Sequence, residues 1–362
     1  MTDARANLIE QLGDPMTQAW SVPGNPLPVV IIGAGSIIDD GHAPAYEALG
    51  IPIACIHDID TDRARRMAKK WNIPRVLETF EPPDEDVVYD LAVPADAIEE
   101  VLDGLPDGSN VLIQKPMGTT LLQASSILDQ LERRRMVAGV NLQLKFAPSM
   151  LALAHAVHTG LLGTILDVEV NVQCLHPWSN WPFLQNIPRV ELLYHSIHYI
   201  DMIRRLIGDP DAVQARTMDH PGAPGIASTR SAVILEYPKT RCVLSVNHHH
   251  DWGSEHARSH MKIEGTEGAA IVRMGVNLDY PRGLDDQLQV TTGSGWIDVP
   301  LRGNWFPTAF EGPMSNLQRF VTGEDESLAC SAGDAWMTMS VIEACYEADA
   351  RGGVPVSRRA DP

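Results

Sequence analysis

Two histidines, His195 and His198, lie three residues apart in the helix-like stretch ELLYHSIHYIDMIRRLIG. An α-helix turns about 100° per residue, so an apolar stripe covers one face and both imidazoles fall on the other, about 60° apart. Imidazole titrates near neutral pH and can accept the proton of a substrate hydroxyl. The pair could instead be packed side chains, or it could bind a metal if His176, Glu191 or the histidines at 248–250 supplied further ligands. We favour acid–base chemistry and expect no metal.

A glycine turn, GAGSII, directly follows the apolar segment LPVVII and precedes a helix-like segment. In this context Gly33 makes the turn after a buried strand, and Gly35 lets the backbone approach the phosphates of a dinucleotide. Ile38 replaces the usual third glycine, so we expect the helix to begin further from the strand. Asp58 ends the next apolar segment, where a carboxylate binds the adenine ribose hydroxyls and repels a 2′-phosphate. The loop therefore predicts NAD rather than NADP as the cofactor.

Two further segments carry side chains that suit a ligand site. Lys115 ends the apolar segment VLIQKP, which places it at the carboxyl edge of a sheet, although a solvated surface charge would look the same. The loop CLHPWSNWPF contains His176 and Trp178. Its aromatic and polar groups suit the faces and hydroxyls of a sugar, unless the tryptophans only anchor the loop.

Other possible metal ligands are less convincing. In NHHHDWGSEH, strand alternation puts His248 and His250 on one face and His249 on the other, so we favour a strand end near the site or a subunit interface. The five cysteines are scattered and never occur as CxxC, which argues against a zinc cluster or a disulfide framework. A reducing, cytoplasmic location fits them best.

The composition restricts the partners. The chain has 362 residues and a formal charge of −19, which argues against nucleic acid or an anionic membrane as a partner. It lacks an apolar run of about 18 residues that could span a membrane, and its N-terminus lacks the features of a secretory signal. A small-molecule substrate is therefore expected.

The order of segments predicts the architecture that positions these residues. From residue 28 to 145, apolar strands alternate with helices of about 10 to 15 residues, which indicates a doubly wound parallel sheet. From 146 to 362, alternating segments separated by Pro, Gly and Asp turns indicate an α/β domain with an antiparallel sheet. Residues 1–27 are expected to cap or wrap the first domain.

The order of GxG, Asp58, a strand ending in Pro and then Lys-Pro resembles the glucose–fructose oxidoreductase/inositol dehydrogenase (Gfo/Idh/MocA) family. Further matches are LAVP, GLLGTILDVEV, SIHYID, IEGTEGAAIV and GGVPV, so the resemblance covers nearly the whole chain. It implies an N-terminal Rossmann domain and a C-terminal α/β domain with a large open, mainly antiparallel sheet that often mediates oligomerisation. It also implies that Lys115 hydrogen-bonds the reacting oxygen and relays its proton, and that Gln143 and Lys145 contact substrate.

The chain departs from the family pattern at three places. Gln114 replaces the Glu of Glu-Lys-Pro, and Tyr194 replaces the Asp of Asp-x-x-x-His, in which the His matches His198. The segment VPADAIEEVL also lacks a His often found there. We therefore expect His198 to be the principal acid–base, Tyr194 or His195 to orient or supplement it, and His195 to bind substrate or relay a proton.

The resulting prediction is an NAD-dependent dehydrogenase that acts on the CH–OH group of a sugar, polyol, sugar acid or glycoside. It is expected to form a homodimer or homotetramer through the C-terminal sheet. Three alternatives stay open: redox-neutral oxidoisomerisation or glycoside cleavage with retained NAD, cofactor sensing without catalysis, and metal-dependent hydrolysis. The expected cofactor contacts are Gly33, Gly35, Ser36, Ile37, Asp58, Val93, Pro94 and Gln114. The expected catalytic residues are Lys115, Tyr194, His195 and His198, and the expected substrate contacts are Gln143, Lys145, His176 and Trp178.

Overall fold

The first sheet is fully parallel, as the alternation of strands and helices predicts. In the computed structural model, which describes residues 2–280, 282–293 and 295–356, its six strands lie in the order β3-β2-β1-β4-β5-β6. These strands are β1 (Val29–Ile32), β2 (Ile53–His57), β3 (Val76–Leu77), β4 (Val88–Leu91), β5 (Asn110–Gln114) and β6 (Val137–Asn141). The order reverses between β1 and β4, which creates a crevice at the carboxyl ends of these strands where ligands bind in such sheets.

The second sheet has eight strands in the order β14-β13-β12-β11-β7-β10-β9-β8. These are β7 (Ile165–Gln173), β8 (Ala212–Met218), β9 (Arg230–Glu236), β10 (Arg241–Asn247), β11 (Arg258–Gly265), β12 (Ala269–Arg273), β13 (Gln287–Thr291) and β14 (Ile297–Val299). Every neighbouring pair is antiparallel except β7 and β10, which run parallel. Strands β9 and β10 bury alternate side chains, so one face of the sheet packs on the core and the other stays open.

Helices cover the first sheet and one face of the second. In chain order they are α1 (Thr2–Gly13), α2 (Ala43–Leu49), α3 (Thr61–Lys70), α4 (Ile98–Asp103), α5 (Leu121–Arg133), α6 (Pro148–His158), α7 (Ile197–Ile207), α8 (Glu311–Val321) and α9 (Ala332–Arg351). The Asp60 carboxylate caps α3 by accepting a bond from the Arg63 amide, and Gly50 ends α2 with φ of 67°. Among the residues described, no helix has the length and apolar character needed to cross a membrane.

Helix α7, which carries His198, is buried on both faces. Ile200 and Ile203 belong to the expected apolar stripe, but Met202 and Leu206 on the opposite side are buried as well. Helices α6 and α9 and strand β7 all pack against α7. The helix is therefore held rigidly, and His198 is fixed in a packed environment.

Two segments lie where the sequence did not predict. Helix α1 packs on α6 and β14, and Gln18 Nε2 donates to the Pro300 carbonyl at 2.8 Å, so the first part of the N-terminal extension lies against the second domain. Its last residue, Leu27, instead bonds Gln318 of α8, with the Leu27 amide donating to Gln318 Oε1 at 2.7 Å. Helix α8 packs on β5, β6 and α2, with Met314 and Leu317 in the core of the first domain. The boundary expected at residue 146 is thus crossed again, because the chain returns to the Rossmann sheet near its C-terminal end.

Candidate active site

The two glycines of the turn after β1 have different surroundings. Gly33 has φ of 101°, and an added Cβ would lie 2.3 Å from the Ala92 carbonyl oxygen, so only glycine fits there. A Cβ on Gly35 would meet no atom within 4 Å, which leaves open space above this backbone. Ser36 and Ile37 begin a helical turn that widens into a π-helical turn at Ile38–His42 before α2. Helical backbone therefore begins directly after Gly35, and the later start predicted from the missing third glycine is not observed; the position of that glycine, Ile38, opens the π-helical turn.

Asp58 lies directly beside this turn. Its Oδ2 accepts from the Ala34 amide at 2.7 Å, and its Oδ1 accepts from the Asp60 amide at 2.7 Å. The Arg63 guanidinium is 3.9 Å away. Val93 and Pro94 follow β4, and the added Cβ of Gly33 would approach Val93 Cγ1 to 3.4 Å. These residues fit a dinucleotide: open backbone at Gly35 for the phosphates and a fixed carboxylate for the ribose.

Gln114 belongs to a buried polar network that the sequence did not reveal. His42 Nδ1 lies 2.7 Å from Asp90 Oδ2, which also accepts from the Tyr46 hydroxyl at 2.7 Å. The Gln114 side-chain oxygen accepts from Asn141 Nδ2 at 3.0 Å and lies 3.3 Å from His42 Nε2. No spacing rule links these residues, since three strands and a helix bring them together.

Lys115 reaches from the end of β5 to the second domain. Its Nζ donates to the Tyr194 carbonyl at 2.6 Å and lies 5.8 Å from the centre of the Tyr194 ring. Burial lowers the pKa of Lys115 to about 8, because the charged ammonium is poorly solvated there. The amine can therefore gain or lose a proton close to neutral pH.

His198 lies beside Lys115 but makes separate contacts. Its side chain is 5% exposed and packs edge-on against Trp305, with ring centroids 5.4 Å apart. Within the described residues its Nδ1 has no hydrogen-bond partner. Burial and the positive charge of Lys115 lower the pKa of His198 well below its usual range, so this imidazole is neutral at pH 7.

Tyr194 and His195 do not contact His198 as expected. A π-helical turn, Leu192–Ser196, precedes α7 and changes the angular spacing that a regular helix would give. The Tyr194 side chain packs near Phe183 and Lys115, and burial followed by the charge of Asp96 raises its pKa to about 12. His195 Nε2 lies 2.8 Å from His176 Nε2 instead. Neither side chain therefore orients His198 through a hydrogen bond in this arrangement.

Aromatic side chains of the loop after β7 pack together with Tyr280 and form an aromatic wall, in which His176 and Trp178 are buried. His176 stacks on Trp181 at 4.8 Å and meets Trp178 edge-on at 4.7 Å. Tyr280 packs against Trp181, and its hydroxyl donates to Asp40 Oδ2 at 3.1 Å, which connects this wall to the phosphate loop. The sequence indicated His176 and Trp178, but Tyr280 lies about one hundred residues further on and had no motif of its own.

A group of buried sulfur, nitrogen and oxygen atoms lies behind this wall. His248 Nδ1 is 3.5 Å from Cys174 Sγ, and His248 Nε2 is 3.6 Å from Glu191 Oε1. Burial lowers the pKa of His248, but its contacts with Cys174 and Glu191 outweigh burial and raise it to about 9. Strand β10 ends at Asn247, so the alternation expected for 248–250 does not apply, and His249 instead forms an isolated bridge with the loop after β7.

The remaining two expected substrate contacts lie elsewhere. Lys145 is buried, and its ammonium group pairs with Asp201 at 3.3 Å and Asp334 at 2.7 Å. Gln143 is buried beside it, and its side-chain oxygen has no partner within the described residues. The structure therefore does not bring the Lys145 amino group together with Lys115, because two carboxylates of the second domain hold it.

Comparison with known proteins supports the same family in both halves of the chain. Residues 27–142 match the Gfo/Idh/MocA model described as an oxidoreductase family with an NAD-binding Rossmann fold. Residues 150–271 match the Gfo/Idh/MocA C-terminal domain. The two matches together span the dinucleotide crevice and the loop that carries His176, Trp178 and Trp181, while Tyr280 lies beyond the second match.

Full-length relatives are similar at low identity. The 1,5-anhydro-D-fructose reductase of Ensifer adhaerens is 24% identical, over 84% of this chain and 93% of its own length. The D-apiose dehydrogenase of Paraburkholderia graminis is 23% identical, over 87% of this chain and 86% of its own. An Agrobacterium radiobacter oxidoreductase, crystallised with NAD+, L-tartaric acid and magnesium, shares the fold with a TM-score of 0.74 at 20% identity, covering 91% of this chain and 98% of its own. The chain belongs to the Gfo/Idh/MocA family and is an oxidoreductase with an NAD-binding Rossmann domain.

Proposed function

We propose that this oxidoreductase interconverts a hydroxyl-bearing carbon of a sugar, polyol, sugar acid or glycoside with the corresponding carbonyl. The observation that carries the proposal is the contact that Lys115 makes with the second domain: it follows β5, and its Nζ donates to the Tyr194 carbonyl at 2.6 Å, four residues before His198 of α7. The two residues come from different domains, and Lys115 lies at the carboxyl edge of the sheet that carries the phosphate turn. Such convergence of titratable groups at a ligand crevice is typical of a catalytic site.

The cofactor, when bound, accepts or supplies the hydride. The residues of this chain that would hold it are the turn at Gly33 and Gly35, with Ser36 and Ile37, and the carboxylate of Asp58. Val93, Pro94 and Gln114 flank the same crevice at the ends of β4 and β5. Because Asp58 is fixed by two backbone amides, it is oriented before any ligand arrives.

The pKa values favour roles for Lys115 and His198 that differ from those predicted from the sequence. A general base works best with a pKa near the operating pH. The pKa of Lys115 is lowered to about 8, whereas that of His198 is lowered well below its usual range. We therefore assign proton exchange with the substrate oxygen to Lys115. Neutral His198 would hydrogen-bond the same hydroxyl and orient it.

The wall formed by His176, Trp178, Trp181 and Tyr280 suits a carbohydrate. Aromatic faces pack against the C–H faces of a sugar, while nearby polar atoms orient its hydroxyls. The names of the two relatives, an anhydrofructose reductase and an apiose dehydrogenase, support the same substrate class. His195, bonded to His176, would hold the wall in position and does not serve as a second base.

We also propose that copies of the chain associate through the open face of the second sheet, in the cytoplasm. All five cysteines are free and buried, which suits a reducing compartment. On the open face Ile234, 43% exposed, lies opposite Val243 and provides an apolar patch for a second copy. Light scattering of the wild type and of Ile234→Asp tests this: a dimer or tetramer that the substitution leaves intact would contradict the proposed interface.

The test of the proposed activity is a screen of polyols, sugars, sugar acids and glycosides with NAD+, read as NADH absorbance. Lys115→Ala and His198→Ala should each lower kcat about a hundredfold or more, because each removes a group that contacts the reacting hydroxyl. Affinity for NAD+ should stay within about twofold in both, which serves as the folding control. Unchanged turnover in either variant contradicts its role, and conversion of substrate without free NADH would assign the chain to redox-neutral chemistry with retained cofactor.

A further inference from the structure

The buried group behind the aromatic wall has the composition of a metal site. Candidate ligand atoms of Cys174, His176 and His248 all lie within 4.8 Å of one another, and all three residues are buried. His195 joins them through His176, with the two Nε2 atoms 2.8 Å apart. The four residues come from the loop after β7, the end of β10 and the turn before α7. Packing alone rarely collects three imidazoles and a thiol in one buried place.

Hydrogen bonding within the group is incomplete. His176 Nδ1, His195 Nδ1, His248 Nε2 and Glu191 Oε2 are buried and have no hydrogen-bond partner within the described residues. A buried polar atom without a partner costs about 1–3 kcal/mol. Two imidazoles that meet nitrogen to nitrogen can share only one hydrogen, whereas both lone pairs can point at one cation. Hydrogen bonds within the group therefore leave several of its buried polar atoms unsatisfied.

The Cys174–His248 spacing fits a tetrahedral zinc site, whereas His195 lies outside the set of three close ligand atoms and contacts it through His176. Zn–S and Zn–N bonds of about 2.3 and 2.05 Å, at a tetrahedral angle, place sulfur and nitrogen about 3.5 Å apart. The Cys174 Sγ to His248 Nδ1 distance is 3.5 Å. Two nitrogen ligands need about 3.3 Å, so the Nε2 atoms of His176 and His195, at 2.8 Å, would have to separate by about half an ångström. Side-chain rotations within the buried group would have to supply this separation.

The surroundings provide a second layer of support. Ligating histidines usually direct their other ring nitrogen at a carboxylate. Here His248 Nε2 lies 3.6 Å from Glu191 Oε1, and that oxygen accepts a bond from the Ser196 hydroxyl. Glu191 is fully buried, so its charge would offset that of a divalent ion together with a Cys174 thiolate. Sulfur and imidazole donors select a zinc-class ion over magnesium or calcium.

We propose that Cys174, His176, His195 and His248 bind one zinc-class divalent cation, with Glu191 as the outer partner of His248. Four protein ligands close the coordination sphere, which is typical of a structural site. The ion would join the loop that carries Trp178 to the turn that carries Tyr194, whose carbonyl holds Lys115. It would thereby position both the substrate wall and the catalytic amine without contacting substrate.

The experiment uses the full chain, freed of any histidine tag and dialysed to remove loosely bound ions. Elemental analysis should find about one zinc per chain. Replacement by Co²⁺ should give visible d–d bands of a tetrahedral site together with a near-ultraviolet thiolate-to-cobalt band. Cys174→Ser should abolish the thiolate band, and His248→Ala should lower Co²⁺ affinity at least about tenfold. Cys55→Ser and His158→Ala, which change the same residue types outside the group, should leave the spectrum unchanged.

Wild-type protein that binds neither Zn²⁺ nor Co²⁺ overturns the proposal, and this result needs no variant to fold. A cobalt spectrum that survives both Cys174→Ser and His248→Ala overturns the ligand assignment. The outcome is separable from the proposed function. If metal-free protein oxidises a sugar with NAD+, only the metal-site proposal is wrong. If the protein binds the ion but turns over no carbohydrate, only the proposed activity is wrong.

Discussion

Raising the pH through 8 should accelerate oxidation about tenfold, because Lys115 must be a neutral amine to accept the substrate proton. Burial is the only cause of its shift, and it lowers the pKa of Lys115 to about 8 from the ordinary 10.5. At pH 7 about a tenth of the enzyme then carries the neutral amine, and at pH 9 about nine tenths does. His198 contributes no change in this range, since its pKa is lowered and the ring is already neutral.

The assay is kcat/KM for oxidation at saturating NAD+, measured as NADH absorbance in buffers of constant ionic strength from pH 6 to 10. Lys115→Arg, which stays charged throughout, should be slow and should lack the rise. Gln114→Glu restores a carboxylate next to Lys115 in sequence and should move the rise to higher pH, because a nearby negative charge favours the ammonium. A flat wild-type profile, or a rise that persists in Lys115→Arg, would refute the assignment.

The same pKa shift can be measured without turnover. The unfolded chain holds the Lys115 proton up to about pH 10.5, whereas the native protein releases it near 8. Between these values unfolding takes up a proton, so the free energy of unfolding rises with pH, by at most about 3 kcal/mol. Lys115→Met should remove this slope and stabilise the protein at pH 7. Urea unfolding at pH 7 and pH 10 checks this, and equal slopes in both proteins would show that the amine is not desolvated.

Four other substitutions test the site. Gly35→Val should leave the melting temperature unchanged yet weaken NAD+ binding at least about tenfold, because its side chain fills the open space above the turn. Gly33→Ala should instead destabilise the fold by about 1–3 kcal/mol, because of the positive φ at this position and the clash with the backbone. Calorimetry and NAD+ titration separate the two effects. Asp58→Asn keeps the shape but removes the charge that repels a 2′-phosphate, so the ratio of NAD+ to NADP+ affinity should fall about tenfold, and an unchanged ratio in the titration would contradict its role. Lys145→Met leaves Asp201 buried without its main partner, so it should destabilise the protein by about 3–5 kcal/mol while KM for the substrate stays within about twofold. A raised KM with normal stability would show instead that Lys145 contacts the substrate.

Sequence periodicity predicted the elements better than their placement. The alternation after residue 28 predicted the parallel sheet because strands and helices follow each other in order, and the central strands β1 and β4 are buried on both faces. The packing of helix α8 on the Rossmann sheet was not predicted, because the sequence of an amphipathic helix does not indicate which sheet the helix covers. The parallel pairing of β7 with β10 was likewise hidden, because alternation is the same in parallel and antiparallel neighbours.

The residues of the candidate site likewise fall into two groups, those that could be predicted from the sequence and those that only the fold brings together. Lys115 and Asp58 were predictable because each directly follows a strand at the ligand edge of the sheet. His42 with Asp90, and Cys174 with His248, were not, because each pair is separated by many residues and is joined only by the fold. The assumption of a regular helix at 100° per residue also misplaced His195, since the π-helical turn directs it toward another partner.

Two departures from the family pattern, Gln114 and Tyr194, have a joint consequence for Lys115. This chain has no carboxylate at either position. The ammonium group instead meets neutral partners, the Tyr194 carbonyl and ring. Asp90 lies in the network of His42 and Gln114, where a second carboxylate would add a like charge to a fully buried group. Gln114 is thus compatible with that network, and burial acts on Lys115 without an opposing charge. The neutral substitutions therefore make Lys115, rather than His198, the group whose pKa matches proton transfer near neutral pH.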